Sequence, residues 1–222
     1  PGGKPVTILS ANILSSNTEH QRLFELLDAE APDVVFLQEV SPQWLEALVR
    51  LQEDYPYSYA EARDGNFGVA LFSRLPFTSV SHVDSPPLGY PTIVATIDVD
   101  GAPLQVVGSH PMIPVSAQFY TDRNAQFESI AELFVGRDGP RVLLGDLNTS
   151  MWDINYRQLE DKTGLRNARL GFGVVPTWPT FMPFAMIPID HVLLSGDISV
   201  VELRSGPRIG SDHLPLIVTL AL

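Results

Sequence analysis

Acids and histidines recur at the ends of apolar runs in this chain, where a rigid support would hold them. Gly210-Ser211-Asp212-His213-Leu214-Pro215 precedes the run Leu216–Leu220. Asp190-His191 opens Val192-Leu193-Leu194, and Val142-Leu143-Leu144 leads into Gly145-Asp146-Leu147-Asn148. Earlier in the chain Asn12 closes an alternating run from Val6, Glu39 follows Val34–Gln38, and His110 follows Leu104–Ser109. Short apolar or alternating runs of this kind are strands, so these residues share one kind of position: the end of a strand.

Gathered in one place, Asn12, Glu39, His110, Asp146, Asn148, Asp190, Asp212 and His213 could hydrolyse a phosphate ester. That reaction needs a cation against developing charge, a base for water, donors on the equatorial oxygens and help for the leaving group. Glu39 with Asn12 could hold Mg²⁺, which binds through one or two carboxylates and keeps several waters. His213 oriented by Asp190 is a candidate base, and His110 a candidate donor to a phosphoryl oxygen or the leaving group. Each residue alone has a plainer role as a solvated strand end, an Asx turn or a structural pair. His191 faces away from Asp190 if the two share a strand, and is assigned a structural role. Trp178 and Phe181 are first of all packing residues.

Composition narrows the chemistry. The 222 residues are 45% hydrophobic and 18% charged, enough for one domain with a substantial core. Cysteine is absent, so a metal must be held by Asp, Glu, Asn and His, which favours Mg²⁺, Mn²⁺ or Ca²⁺. A net charge of −12 argues against a broad basic face tracking many phosphates, though not against a small phosphate site. No stretch reaches the roughly 18 apolar residues of a membrane span, so the chain as given is expected to be soluble, with its compartment open.

The elements that must position these residues alternate. Pro1-Gly2-Gly3 has the composition of a cut end or linker. A strand to Asn12 precedes a helix carrying Leu23, Phe24, Leu26 and Leu27, with Thr18 or Asn17 as its cap. Asp33–Glu39 is the next strand, Pro42 opens a second helix, and strands run from Tyr57 to Ser109 with a hairpin turn at Asp100-Gly101. Ser116–Val135 is helical, Arg141–Leu144 a strand and Asp153–Thr163 a helix. Trp178–Pro188 has no period and is a loop of unusual apolar content. Strands near Ile189–Leu194 and Ile198–Arg204 precede the terminal one, which the Asp212-His213 pair is expected to start.

Taken as a set, Asn12, Gln38-Glu39, Gly68 to Pro76, Ser109-His110-Pro111, Gly145–Asn148, Ile189–His191 and Ser211–Pro215 resemble the endonuclease/exonuclease/phosphatase superfamily. The resemblance covers nearly the whole chain. It implies the deoxyribonuclease I-like fold, a four-layer α/β sandwich of two facing mixed β-sheets flanked by helices, over residues 1–222 as a single catalytic domain. It implies a phosphodiester substrate, nucleic acid and DNA foremost, with Mg²⁺ or Mn²⁺ as cofactor and no protein partner. Glu39, Asn12 and Asp212 correspond to metal ligands, His213 with Asp190 to the general-base pair, and Asp146 and Asn148 to residues orienting the nucleophile and phosphoryl oxygens. His110 matches the second histidine of deoxyribonucleases and sphingomyelinases. Those enzymes give it an acidic partner where this chain has Asn66 and Phe67, so His110 is expected to lack a carboxylate; Asn66 and Trp178 become candidate substrate contacts. Pro176-Thr177-Trp178-Pro179 resembles a bacterial branch often anchored to membranes, and the start at Pro1 would suit a domain trimmed from such an anchor. Two alternatives stand beside the nuclease: a phosphoesterase acting on a phospholipid headgroup or small ester, and a silent binding module, which the retained acids and histidines disfavour.

Overall fold

The computed structural model describes residues 5–222, so the Pro1-Gly2-Gly3 stretch lies outside the described residues. Two sheets of six strands face one another. The first contains β1 (Pro5–Asn12), β2 (Val34–Gln38), β3 (Tyr57–Glu61), β4 (Val69–Ser73), β11 (Ser199–Ser205) and β12 (Leu216–Ala221), in the order β11-β12-β1-β2-β4-β3. The second contains β5 (Phe77–Ser85), β6 (Tyr90–Val99), β7 (Ala102–Gly108), β8 (Arg141–Asp146), β9 (Arg166–Asn167) and β10 (Asp190–Leu194), in the order β5-β6-β7-β8-β10-β9. β1 runs parallel to β2 and β7 to β8, while the other pairs are antiparallel.

The central strands are apolar on both faces because both faces are buried. Val6 and Ile8 of β1, Val34 and Phe36 of β2, Val142 and Leu144 of β8, and Val192 and Leu194 of β10 meet between the sheets. Their neighbours turn outward. Leu9 and Val35 pack under α1 (His20–Glu30) and α2 (Pro42–Leu48), and Leu143 and Leu193 under α3 (Ala117–Glu132) and α4 (Ile154–Thr163). Helix, sheet, sheet, helix is the expected four-layer sandwich.

Continuing the same period of two places the site. Residues 6 and 8 fill the inter-sheet layer, so Asn12 lies on that face; by the same step Gln38, Asp146 and Asp190 extend the apolar rows of β2, β8 and β10. Asp146 and Asp190 are also register partners across the β8–β10 ladder. The polar cluster is thus the last layer of the core, at one open end of the sandwich.

Phe36 sets the sheet spacing beneath it. A Cβ at Gly108 would lie 2.4 Å from the Phe36 ring, and one at Gly145 would lie 2.0 Å from the Ser109 carbonyl oxygen and 3.1 Å from the same ring. Both glycines leave room that the ring and the crossing backbone occupy.

Several boundaries differ from expectation. α1 is capped by neither Thr18 nor Asn17: its N-cap is Glu19, with no side-chain cap bond. Asn17 instead donates to the Ile13 and Ile209 carbonyls and accepts from the Glu19 amide, tying two loops together. α3 begins one residue after Ser116, whose hydroxyl accepts from the Phe119 amide, and ends at Glu132. Asp212-His213 does not start the terminal strand, since β12 begins at Leu216, after Pro215. β9 was not foreseen; two residues carry no readable period.

A direct test of the close approach compares two glycines of positive φ. Gly139→Ala, at φ +83 with open space around it, is expected to cost about 1 kcal/mol. Gly145→Ala, at φ +136 against Ser109, is expected to cost roughly 3 kcal/mol or more in urea denaturation. Equal costs would mean that the backbone at 145 yields freely.

Candidate active site

Asp146 is the centre of the polar cluster and is 1% exposed. Its Oδ2 accepts from Asn12 Nδ2 at 3.2 Å and lies 3.5 Å from His110 Nε2 and 3.6 Å from His213 Nε2. Its Oδ1 accepts from the Asn148 amide at 2.9 Å. Burial opposes ionisation, but His213, His110 and the Asn148 amide outweigh it and hold Asp146 down at about 2. His213 Nδ1 meets Asp190 Oδ2 at 2.8 Å. Burial would keep His213 neutral, yet Asp190 and Asp146 raise it to about 10. For His110 the same contest is won by Asp146, with Glu39 assisting, and its pKa is raised.

Glu39, at φ +63, directs its carboxylate into the same cleft. Oε1 accepts from Asn12 Nδ2 at 3.0 Å and Oε2 from the Ser15 amide at 3.0 Å. Asn12 Oδ1 accepts from the Leu14 amide, so this amide gives its donor to the two carboxylates and its oxygen to the backbone. Asn148, at φ +49, donates from Nδ2 to the Pro111 carbonyl at 3.0 Å. Asp212 is half-buried and accepts from Trp178 Nε1 at 3.0 Å, and the Trp178 ring centroid lies 6.3 Å from that of His213. Asn66, exposed at the mouth, accepts from the Ser15 hydroxyl at 2.7 Å. All ten expected residues therefore converge: eight line a cleft of about 500 Å³, Asn12 lies beneath it and Asp190 behind His213.

His110 needs a correction. It was expected to lack a carboxylate, but Asp146 serves its Nε2; the Phe67 ring lies 5.4 Å away, and its buried Nδ1 has no hydrogen-bond partner among the described residues. His191 is structural, as expected. Its Nε2 donates to the Thr149 carbonyl at 2.7 Å, leaving Nδ1 to accept from Arg169 at 3.3 Å. Burial and the Arg169 charge depress it to about 3.

The sequence reading missed the supports behind the cleft. Arg123, 1% exposed, donates to the Asn148 carbonyl at 3.0 Å and sits against the Tyr120 and Phe127 rings. Three residues on, Gln126 accepts from the Met112 amide at 2.8 Å. One face of α3 therefore holds both the Asn148 turn and the segment after His110. An Arg and a Gln at i, i+3 between Phe119 and Phe127 was the available signal. Arg169 similarly ties the Asp190 carbonyl to those of Val174 and Val175.

The donor set suits a hard divalent cation. Glu39, Asp146 and Asp212 line the cleft with Asp190 behind it, against two imidazole rings. The balance is negative where a phosphate anion would have to enter. Each Glu39 oxygen has one protein donor and a lone pair to spare. Ligand atoms of Asp146, Asp190 and His213 also lie within 4.8 Å of one another and could hold a metal.

Two facing six-stranded sheets flanked by helices, with a polar cleft at one end, define a DNase I-like α/β sandwich. The chain belongs to the Endonuclease/Exonuclease/phosphatase family, whose model matches residues 9–213. Its structure is similar to D. rerio TDP2 complexed with single strand DNA product, at 18% identity and a TM-score of 0.83 over 99% of this chain and 100% of that one. It is similar to the endonuclease/exonuclease/phosphatase from Beutenbergia cavernae at 23% identity and a TM-score of 0.81, over 99% of this chain and 72% of that one. The 3′ phosphatase NExo from Neisseria, bound to a product DNA hairpin, gives 20% identity and a TM-score of 0.77 over 96% and 98%. A search of curated proteins by sequence returned no match. Among the described residues no helix is long and apolar enough to cross a membrane.

His191 makes a pH prediction. Folded, it stays neutral down to about 3; unfolded, it takes a proton near 6.5. At this side chain the unfolded chain binds more protons in that window, so the contribution of His191 to stability falls on acidification. At pH 5 the loss from this group is about 2 kcal/mol. His191→Asn should flatten the fall in stability between pH 7 and 5; an unchanged slope would show that the ring titrates normally when folded.

Proposed function

We propose that this protein is a divalent-metal-dependent phosphodiesterase, residues 1–222 acting as one catalytic domain, and that its substrate is nucleic acid, DNA foremost. The observation that carries the reading is the chain Asp190–His213–Asp146–His110, which shares one cleft with Glu39 and Asn148. DNA is favoured because TDP2 and NExo were solved with DNA products.

Glu39 would be the principal ligand of Mg²⁺ or Mn²⁺, with Asp212 of the same cleft as a further ligand; Asn12 would join it only by turning its amide. When bound, the cation would neutralise phosphoryl charge and compete with His213 for the field of the surrounding carboxylates. Asp190 fixes the His213 ring through Nδ1, leaving Nε2 toward Asp146 and the cleft. Attack of water on phosphorus breaks the bond to the leaving oxygen, and the water proton is taken at the His213 Nε2–Asp146 pair. Asn148 Nδ2 has one N–H committed to Pro111 and a second for a phosphoryl oxygen. His110 Nε2 carries the proton for the opposite oxygen or the leaving group.

The exposed loop residues Phe181, Met182 and Phe184, at 64%, 50% and 107%, favour a second reading, a lipid headgroup or small phosphate ester as substrate. Hydrolysis of plasmid, single-stranded DNA, RNA, sphingomyelin and bis-p-nitrophenyl phosphate with Mg²⁺, Mn²⁺ or EDTA separates the two. His213→Ala and Glu39→Gln should each lower phosphodiester hydrolysis by about 10² or more. Full activity in either variant sinks the mechanism; turnover of lipid without DNA cleavage installs the second reading. Mg²⁺ should also raise the melting temperature of the wild type but not of Glu39→Gln, and an equal rise in both would remove Glu39 as the ligand.

A further inference from the structure

Past Asp212 the cleft continues into a shallower hollow of about 380 Å³, the two sharing Leu14 and Asp212 in their walls. Whatever occupies the cleft can extend into it. Arg22 and Arg208 stand in its walls with the exposed ring of Phe181.

The cations differ in how they are held. Arg208 Nη2 donates to the Thr180 carbonyl at 2.5 Å, and among the described residues no carboxylate forms an ion pair with this guanidinium. One corner is pinned and the remaining donors are open to the hollow. Arg22 pairs with Glu19 at 3.1 Å, both side chains about half exposed. Such a pair is weak, and a phosphate offering two oxygens to the guanidinium fork competes well with it. Gly210, at φ +88, lies in the wall of the hollow, where a Cβ would meet Asn17 Oδ1 at 2.6 Å and Glu19 Oε2 at 2.7 Å, so any side chain here would crowd the hollow's edge.

A planar guanidinium beside an exposed aromatic face matches a phosphate joined to a base. The base must be unpaired, because pairing and stacking in a duplex hide its π-face from a single ring, whereas a strand with free bases stacks on aromatic side chains irrespective of sequence. A net charge of −12 with 14 Lys and Arg residues disfavours tracking many phosphates of a duplex backbone, whereas two arginines suffice for one phosphate. We propose that this hollow is a subsite for the neighbouring nucleotide of a single-stranded nucleic acid, with Arg208 and Arg22 on its phosphate and Phe181 against its base. The subsite rests on the phosphodiesterase reading above and narrows its substrate.

Steady-state kinetics test it with two substrates, bis-p-nitrophenyl phosphate, which fills only the cleft, and a single-stranded DNA octamer. Arg208→Ala and Phe181→Ala should each raise KM for the octamer roughly tenfold, with kcat within about twofold and the small ester unaffected. Arg208→Ala should also reduce the salt dependence of octamer KM by about 0.7 in the log–log slope, the value for one phosphate on a single strand. Octamer kinetics unchanged in both variants, or equal losses on both substrates, would overturn the subsite alone. Wild-type turnover of the small ester with no cleavage of the octamer would overturn the nucleic-acid substrate, and the subsite with it. Cleavage of duplex and single strand with equal KM would also remove it.

Discussion

An ionised carboxylate in the last layer of the core, beneath the cleft, is the condition on which this molecule depends. Asp146 is almost wholly buried, and its charge is matched by four partners, Asn12, Asn148, His110 and His213. Asn12 arrives from β1, His213 from the loop entering β12, and His110 and Asn148 from the ends of β7 and β8. Both sheets therefore contribute. A sandwich that failed to close would leave the charge unmatched, so folding and assembly of the cleft are a single event.

The loops around that carboxylate are stiff by construction. Leu14, Glu39 and Asn148 are all in the left-handed region, unfavourable for residues with side chains, and all three border the cleft. Local backbone preference does not place them there; the network behind them does. Arg123 grips Asn148, Gln126 grips the segment after His110, and His191 with Arg169 holds Thr149 and Asp190. These buried polar side chains are hydrogen-bonded into the backbone they hold, which resists small displacements more firmly than apolar packing does.

Much of this was legible in the sequence, because the signal was periodic. Runs such as Val142–Leu144 declare strands apolar on both faces, and stepping by two from a core residue reaches Asn12, Asp146 and Asp190. The same parity set His191 apart from Asp190. What could not be read were matters of distance between segments. Nothing near His110 in sequence indicates that Asp146 would serve its Nε2, and nothing local distinguishes Asn17 as a helix cap from Asn17 as a tie to Ile209. Nothing in the helical pattern around Arg123 indicates the Asn148 turn that it supports. Asp212 and His213 were recognised as a pair, but the proline that delays β12 puts them in a turn rather than on the strand.

The contact between Phe36 and Gly108 bears on how such a chain can vary over generations. With the large ring present, any side chain at 108 collides with it; with a small residue at 36, the void itself is costly, yet a methyl at 108 becomes permissible. The two positions are therefore epistatic: the order in which they change decides whether the intermediate survives. Gly145 has no such escape, since its obstacle is the main chain of Ser109, which no substitution removes. Drift in this joint is confined to a narrow path at 36 and 108, and at 145 it is closed.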